Sequence, residues 1–136
     1  MRKEGCIFCM LANGDIPTNT LYEDDMFRVI LDLSPATKGH ALILPKGHAD
    51  NLYELSDDVA SKALVLAKKM AIRMTGNLKC DGFNLVQNNG ETAGQTVNHF
   101  HIHLIPRYVR DEDMISWTPG SPSKEELEAV KNLITE

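Results

Sequence analysis

Between Val97 and Ile105 the chain sets imidazoles and apolar side chains in alternation, as His99-Phe100-His101-Ile102-His103-Leu104. Successive side chains on a β-strand point to opposite faces. The run therefore predicts a strand from Val97 to Ile105, ended by Pro106. One face carries three imidazoles about 6.5 Å apart, and the other packs into a core. Three of the chain's 5 histidines fall in these five residues, which sets aside an incidental polar face. Two chemical readings stand. Two or three of the histidines can ligate a metal, although no carboxylate lies close in sequence. Alternatively, a neutral imidazole, with a pKa close to neutrality, serves as a nucleophile toward phosphorus.

The remaining elements follow from local signals. Cys6 to Ala12 reads as a short helix stopped at Asn13-Gly14, with a turn at Asp15-Ile16-Pro17. Leu21–Glu23 and Phe27–Leu31 read as strands around Asp24-Asp25, and His40–Leu44 as another, closed by Pro45. Ser56 is an N-cap, with Asp57 and Asp58 in the first turn. Behind it Val59, Ala63, Leu66, Ala67, Met70 and Met74 recur at helical spacing, with Gly76 as the stop. Phe83–Gln87 is a strand and Asn88–Gly94 a polar loop. Ser123 and Glu126 form a capping box before Leu127, Val130 and Ile134, which predicts a C-terminal helix. Strands outnumber helices and short turns join several of them. The fold class is α+β, with an antiparallel sheet of about five strands, one long central helix and a C-terminal helix.

With 136 residues the chain suits one domain, 1–136, with a core over about 6–107 and a tail over 108–136. Its net charge of −5 and lack of a basic stripe argue against nucleic-acid polymers as partners. A single nucleotide needs only a few donors and remains compatible. No apolar stretch approaches the ~20 residues of a membrane span, and no signal core follows Met1, so the cytoplasm is the expected compartment. There a Cys-x-x-Cys pair such as Cys6-Ile7-Phe8-Cys9 is a metal or redox site, or two packed thiols, more readily than a disulfide. The alternating α/β pattern of a thioredoxin-like redox site is absent. Cys80 has no partner in sequence.

The stretch from Asn88 to Arg107, with Gly94-Gln95-Thr96 ahead of His-φ-His-φ-His-φ-φ (φ apolar), resembles the signature of the histidine-triad (HIT) superfamily. Tyr22-Glu23-Asp24-Asp25, Asp32-Leu33-Ser34-Pro35, Lys38-Gly39-His40 and Pro45-Lys46-Gly47-His48 resemble further blocks of that family, in its order. The likeness runs from about Cys6 to Arg107. It implies a role for each matching residue. His101 resembles the nucleophile, His103 a phosphate-binding histidine, His99 the donor of a backbone carbonyl that orients the nucleophile, and His40 a fourth histidine of the site. Asp32 resembles the group that binds the ribose hydroxyls, although it also suits the cap of a turn at Ser34-Pro35. Asn88, Gln95 and Thr96 resemble the groups around the α-phosphate and leaving group. Ile7, Phe8, Ile30 and Leu31 resemble walls of a base pocket.

The expected function is a nucleotide hydrolase or transferase that attacks the α-phosphorus of a purine nucleotide conjugate through a nucleotidyl-histidine. A phosphoramidase-like activity leads. A dinucleoside polyphosphate hydrolase and a nucleotide-binding module with incidental turnover are the alternatives. The resemblance also implies a homodimer with a continuous antiparallel sheet. As in some bacterial HIT proteins and galactose phosphate uridylyltransferases, it implies a structural zinc held by Cys6, Cys9, His48 and His99. The chemistry itself requires no metal.

Overall fold

The computed structural model describes residues 1–111 and 116–136. The part of the tail at 112–115 lies outside the described residues. A short helix, α1 (Ile7–Ala12), precedes strands β1 (Thr20–Glu23), β2 (Phe27–Leu31) and β3 (Ala41–Pro45). The long helix α2 (Asp57–Leu78) follows, then β4 (Gly82–Val86), β5 (Ile102–Arg107) and α3 (Lys124–Thr135). The strands form one antiparallel sheet in the order β1-β2-β3-β5-β4.

Alternation along β2, β3 and β5 assigns the two faces. Val29, Ala41, Ile43, Ile102 and Leu104 meet Ala63, Leu66, Ala67, Met70 and Met74 of α2 in the main core. Ile30, Leu42 and Leu44 point the other way and pack with Ala12, Phe8 and Leu11 around α1. Helices cover both sides of β3, so all five of its residues are buried, as expected of a doubly covered strand. His103 of β5, and His101 just ahead of it, lie on the α1 side. The site is therefore built against the small helix, while the large one supplies its foundation.

β1, β3 and β4 shift by a residue at one or both ends from the sequence reading, and three larger differences bear on the site. The histidine strand begins at Ile102 and not at Val97. Ahead of it the His99 N–H bonds Val97 O at 2.9 Å and the Phe100 N–H bonds Ala49 O at 2.7 Å, so the backbone bends out of the ladder. Pro106 does not end the strand. It lies past the last β3 pair, Ala41 with Leu104, where the absent N–H costs no ladder bond. Helix α2 runs through Gly76 to Leu78, and Lys79 closes it in the left-handed region (φ 58°), its N–H returning to Thr75 O. Gly39 is required where it stands. At φ +90° its missing Cβ would fall 2.6 Å from Leu78 Cδ1, so this glycine lets the chain pass under α2 and deliver His40.

Candidate functional site

A cleft of about 600 Å³ opens on the α1 side of the sheet. Phe8, Leu11, Ile30, Leu31 and Leu42 supply apolar lining, and Asp32, Thr96, His101 and His103 supply the polar groups. Ile16, Pro17, Thr18, Asn19, Leu33 and Ser34 complete it. Of the expected walls, Ile7 departs: it is 43% exposed and lines no part of the cleft. On the single turn of α1, Phe8 and Leu11 are three apart and share the inward face, which leaves Ile7 outside. Leu11 and Leu42 were missed from sequence, although their spacing from Phe8 and Ile30 on the same element faces would have signalled them.

Backbone partners fix the tautomers. The His101 Nδ1–H donates to His99 O at 2.7 Å, because a carbonyl only accepts. Its Nε2 is then bare and has no hydrogen-bond partner among the described residues. Phe8 packs edge-on to this ring, 4.9 Å between centroids. On the other side of the cleft the Ala36 N–H donates to His40 Nδ1 at 2.9 Å. His40 must therefore carry its proton on Nε2, which donates to His103 Nδ1 at 3.0 Å. That leaves His103 with Nε2–H. The rings of His101 and His103 are 5.0 Å apart. A bare nitrogen and an N–H donor thus stand side by side where β5 begins.

Burial is the largest influence on every one of these rings. It lowers the pKa of His40, His101 and His103, the last to about 4, by disfavouring the imidazolium. The Asp32 charge opposes this in all three. Asp32 Oδ2 stands 3.6 Å from His40 Nε2, too far for a hydrogen bond, so it acts through its charge. Its Oδ1 accepts the Ser34 N–H at 2.8 Å. Asp32 therefore caps the turn and lines the cleft at once, one oxygen for each.

Gln95 is buried and occupied. Its Nε2 donates to Asp50 O (2.6 Å) and Val97 O (2.9 Å), and its Oε1 accepts the Gly90 N–H (2.8 Å). The side chain fastens the 88–95 loop to the chain before His99. Asn88 does not line the cleft; it stands at the close turn of Gly94, whose missing Cβ would lie 3.5 Å from Asn88 Nδ2. Thr96 does line it.

His99 parts company with the other two triad members. It is fully buried, its Nε2–H donates to Pro45 O at 2.9 Å, and its bare Nδ1 lies 3.4 Å from Cys6 Sγ and 3.5 Å from Cys9 Sγ. His48 does likewise: Nε2 donates to Asp50 Oδ1 at 2.6 Å and Nδ1 lies 3.5 Å from Cys9 Sγ. The four ligand atoms all fall within 4.8 Å of one another. A tetrahedron with metal–sulfur near 2.3 Å and metal–nitrogen near 2.0 Å has sulfur–nitrogen edges of about 3.5 Å. Both histidines are oriented by an outer acceptor, as metal-ligating histidines are. The Lys3 N–H faces Cys9 Sγ and the Cys9 N–H faces Cys6 Sγ, each at 3.4 Å. Burial pushes the Cys9 thiol up against the opposing Lys3 N–H and Arg2 charge, and a bound cation favours the thiolate. The donor set fits a metal ion. Asp50 was missed from sequence, although it stands only two residues after His48.

Asp32, His40 and His103 also bring three possible ligand atoms together. Here the tautomers decide against a metal. His40 already accepts at Nδ1, so a cation on its Nε2 would demand an imidazolate. The triad is thus divided, with His99 in a metal-type cluster and His101 and His103 in a proton-ordered cleft.

The HIT domain model matches residues 13–110. Over 109 residues the chain is 45% identical to "Protein hit" of Bacillus subtilis, covering 80% of this chain and 75% of that protein. It is 39% identical over 126 residues to an adenosine 5'-monophosphoramidase of Schizosaccharomyces pombe, covering 92% of each. A crystal structure of a Streptococcus mutans UA159 protein superposes with a TM-score of 0.93 at 39% identity, covering 97% of this chain and 84% of that one. The cleft, the divided triad and these relatives agree that the chain belongs to the HIT domain family.

Proposed function

We propose that this protein is a nucleotide hydrolase that cleaves at the α-phosphorus of a purine nucleotide conjugate, with P–N conjugates as the leading substrate class. The observation that carries the reading is the His101 ring, held by a 2.7 Å bond from Nδ1 to His99 O with Nε2 bare beside the cleft. The monophosphoramidase name of a relative matched over 92% of both chains supports the substrate class.

In this reading Phe8, Leu11, Ile30, Leu31 and Leu42 hold the base and Asp32 accepts from the ribose hydroxyls. His101 Nε2 attacks phosphorus in line, the P–N bond breaks, and the departing amine takes a proton from solvent, to which the attacking water of the second step returns one. The His103 Nε2–H and the Thr96 hydroxyl donate to phosphate oxygens, where charge develops. Water then attacks the nucleotidyl-histidine and releases the monophosphate, restoring neutral His101. Gln95 serves by shaping the loop, and Asn88 by supporting its turn.

Cys6, Cys9, His48 and His99 would hold zinc, which supplies no reacting group and serves to hold the fold. The working form is a homodimer joined through the end strand β4, where Leu85 is 43% exposed. Among the described residues no helix is long and apolar enough to cross a membrane.

The test is turnover of adenosine and guanosine phosphoramidates by wild type and His101→Ala. A loss of roughly thousandfold in kcat, with nucleotide affinity within about tenfold, is expected. Turnover within tenfold of wild type ends the nucleophile assignment.

A further inference from the structure

The segment that follows His48 reaches across to the histidine strand and to the loop ahead of it. Ala49 O accepts the Phe100 N–H at 2.7 Å. Asp50 O accepts from Gln95 Nε2 at 2.6 Å, and the Leu52 N–H donates to Asn89 Oδ1 at 2.8 Å. The turn that presents these groups is closed on itself. The Asp50 N–H donates to Glu54 Oε2 at 2.9 Å, and the Glu54 N–H donates to Asn51 O at 3.3 Å. Gln95 is buried, and its Oε1 accepts the Gly90 N–H at 2.8 Å. The 88–95 loop therefore takes its shape from a side chain that Asp50 holds. Thr96, the next residue, lines the cleft.

Asp50 faces the other way as well. Its Oδ1 accepts from His48 Nε2 at 2.6 Å, which turns the His48 Nδ1 lone pair toward Cys9 Sγ, 3.5 Å away. One residue thus orients a metal-type ligand with its side chain and anchors the loop with its carbonyl. A cation on His48 Nδ1 fixes the ring, the ring fixes the carboxylate, and the carboxylate fixes the peptide that holds Gln95. Without the cation the same chain of bonds ends on a thiol, a weak hydrogen-bonding group, and the Asp50 peptide loses a restraint. A restraint shared by two sites is a coupling free energy, and each site feels the other by the same factor.

We propose that Asp50 is a positioning residue that couples the metal cluster to the cleft: metal on His48 orders the 88–95 loop beside Thr96, and a nucleotide seated against that loop tightens metal binding in return. The second half rests on the nucleotide reading of the cleft, and the first half does not.

Amide hydrogen exchange of the zinc-loaded full chain tests the first half, because the Gly90 N–H reports the Gln95 bond directly. Asp50→Ala should speed exchange at Gly90 by about tenfold or more, with Ile43 in the buried strand β3 unchanged. Its zinc affinity, measured by competition with a chelator, should fall by about tenfold. Asp50→Asn keeps an acceptor for His48 and should return both readouts to within about threefold of wild type. Gly90 exchange within about twofold of wild type in Asp50→Ala overturns the coupling, as does an unchanged zinc affinity. The second half is read from zinc affinity with and without saturating AMP. AMP should tighten zinc by about threefold or more in wild type and leave Asp50→Ala unchanged. Gln95→Met cuts the link but leaves Asp50 on His48. It should keep zinc affinity within about threefold and lose the AMP effect; an effect that survives in this variant overturns the route through Gln95. Bound AMP that leaves wild-type zinc affinity unchanged overturns the return coupling. AMP that fails to bind overturns the nucleotide reading and the second half with it, while the Gly90 result still decides the first.

Discussion

Two pairs of histidines stand within a few residues of each other and are ordered in opposite senses. His48 and His99 donate from Nε2 to Asp50 and Pro45 O, so both bare Nδ1 atoms converge on Cys6 and Cys9. His40 and His103 are threaded on one proton chain that starts at the Ala36 N–H, so the outermost atom is a donor, His103 Nε2–H. Converging lone pairs invite a cation, whereas a terminal N–H invites an anion. His99 and His101 join the halves, since the carbonyl of the first holds the ring of the second. What orders the two pairs differently is the partner each ring faces, an acceptor for His48 and His99 and a donor for His40 and, through it, His103.

The comparison breaks most visibly under metal removal. Chelation, or His99→Ala, should leave two thiols and a second imidazole facing one another without a cation. Metal binding at such sites is folding free energy, and losing even ~3 kcal/mol of it moves the melting temperature of a chain this size by about 10 °C. Differential scanning calorimetry with and without chelator tests this, alongside elemental analysis of protein purified without added metal. A shift under 3 °C, with no zinc found, leaves the cysteines as packing residues.

The opposite half should respond in rate and not in stability. His103→Ala removes a donor to phosphate and should lower kcat roughly hundredfold, in the range of losing one preorganised hydrogen bond, while the melting temperature moves by under about 3 °C. A large thermal loss with little kinetic loss would mean the pair is structural, like His48 and His99. Asp32→Ala sharpens the boundary on the sugar side. It should weaken ribonucleotides about tenfold more than dideoxy analogues, because Oδ2 is the oxygen left over from the Ser34 turn. Equal losses for both sugars would confine Asp32 to that turn.

Much of this division was legible before any coordinates. Alternation placed Phe100, Ile102 and Leu104 in the core, and the Ser56 and Ser123 caps located two helices, because these signals are local. The family resemblance named seven of the residues that line the cleft, Phe8, Ile30, Leu31, Asp32, Thr96, His101 and His103, and the four residues of the metal-type cluster. What was not legible is orientation. Three imidazoles at alternating positions read as one face, yet the bend at Val97–His99 turns the first away, and that bend depends on a bond to Ala49 some fifty residues earlier. Gln95 looked like a phosphate contact, but the Gly90 N–H, Val97 O and the distant Asp50 O occupy its amide. Ile7 needed the rotation of α1 relative to the sheet. In each case the deciding partner is distant in sequence.

The smallest expected effect concerns pH, and its sign follows from burial. His40 and His103 keep folded pKa values below the unfolded histidine value of about 6.5, His103 at about 4. Between those limits the unfolded chain binds protons that the folded chain refuses, so stability rises with pH across the window and is lost as pH falls from about 6.5 toward about 4. Above about 6.5 both states are neutral at these rings and the contribution is flat. Activity should show the same acid limb, because His101, also lowered by burial, must be neutral to attack. Urea unfolding at a series of pH values, with zinc held saturating so that ligand protonation at the other half stays suppressed, isolates the relay. His103→Gln keeps a polar side chain without a titrating ring and should flatten the slope between about pH 4 and 6.5. An unchanged slope in that variant would assign the acid sensitivity to His40 and His101, whose pKa values burial also lowers, and would take His103 out of it.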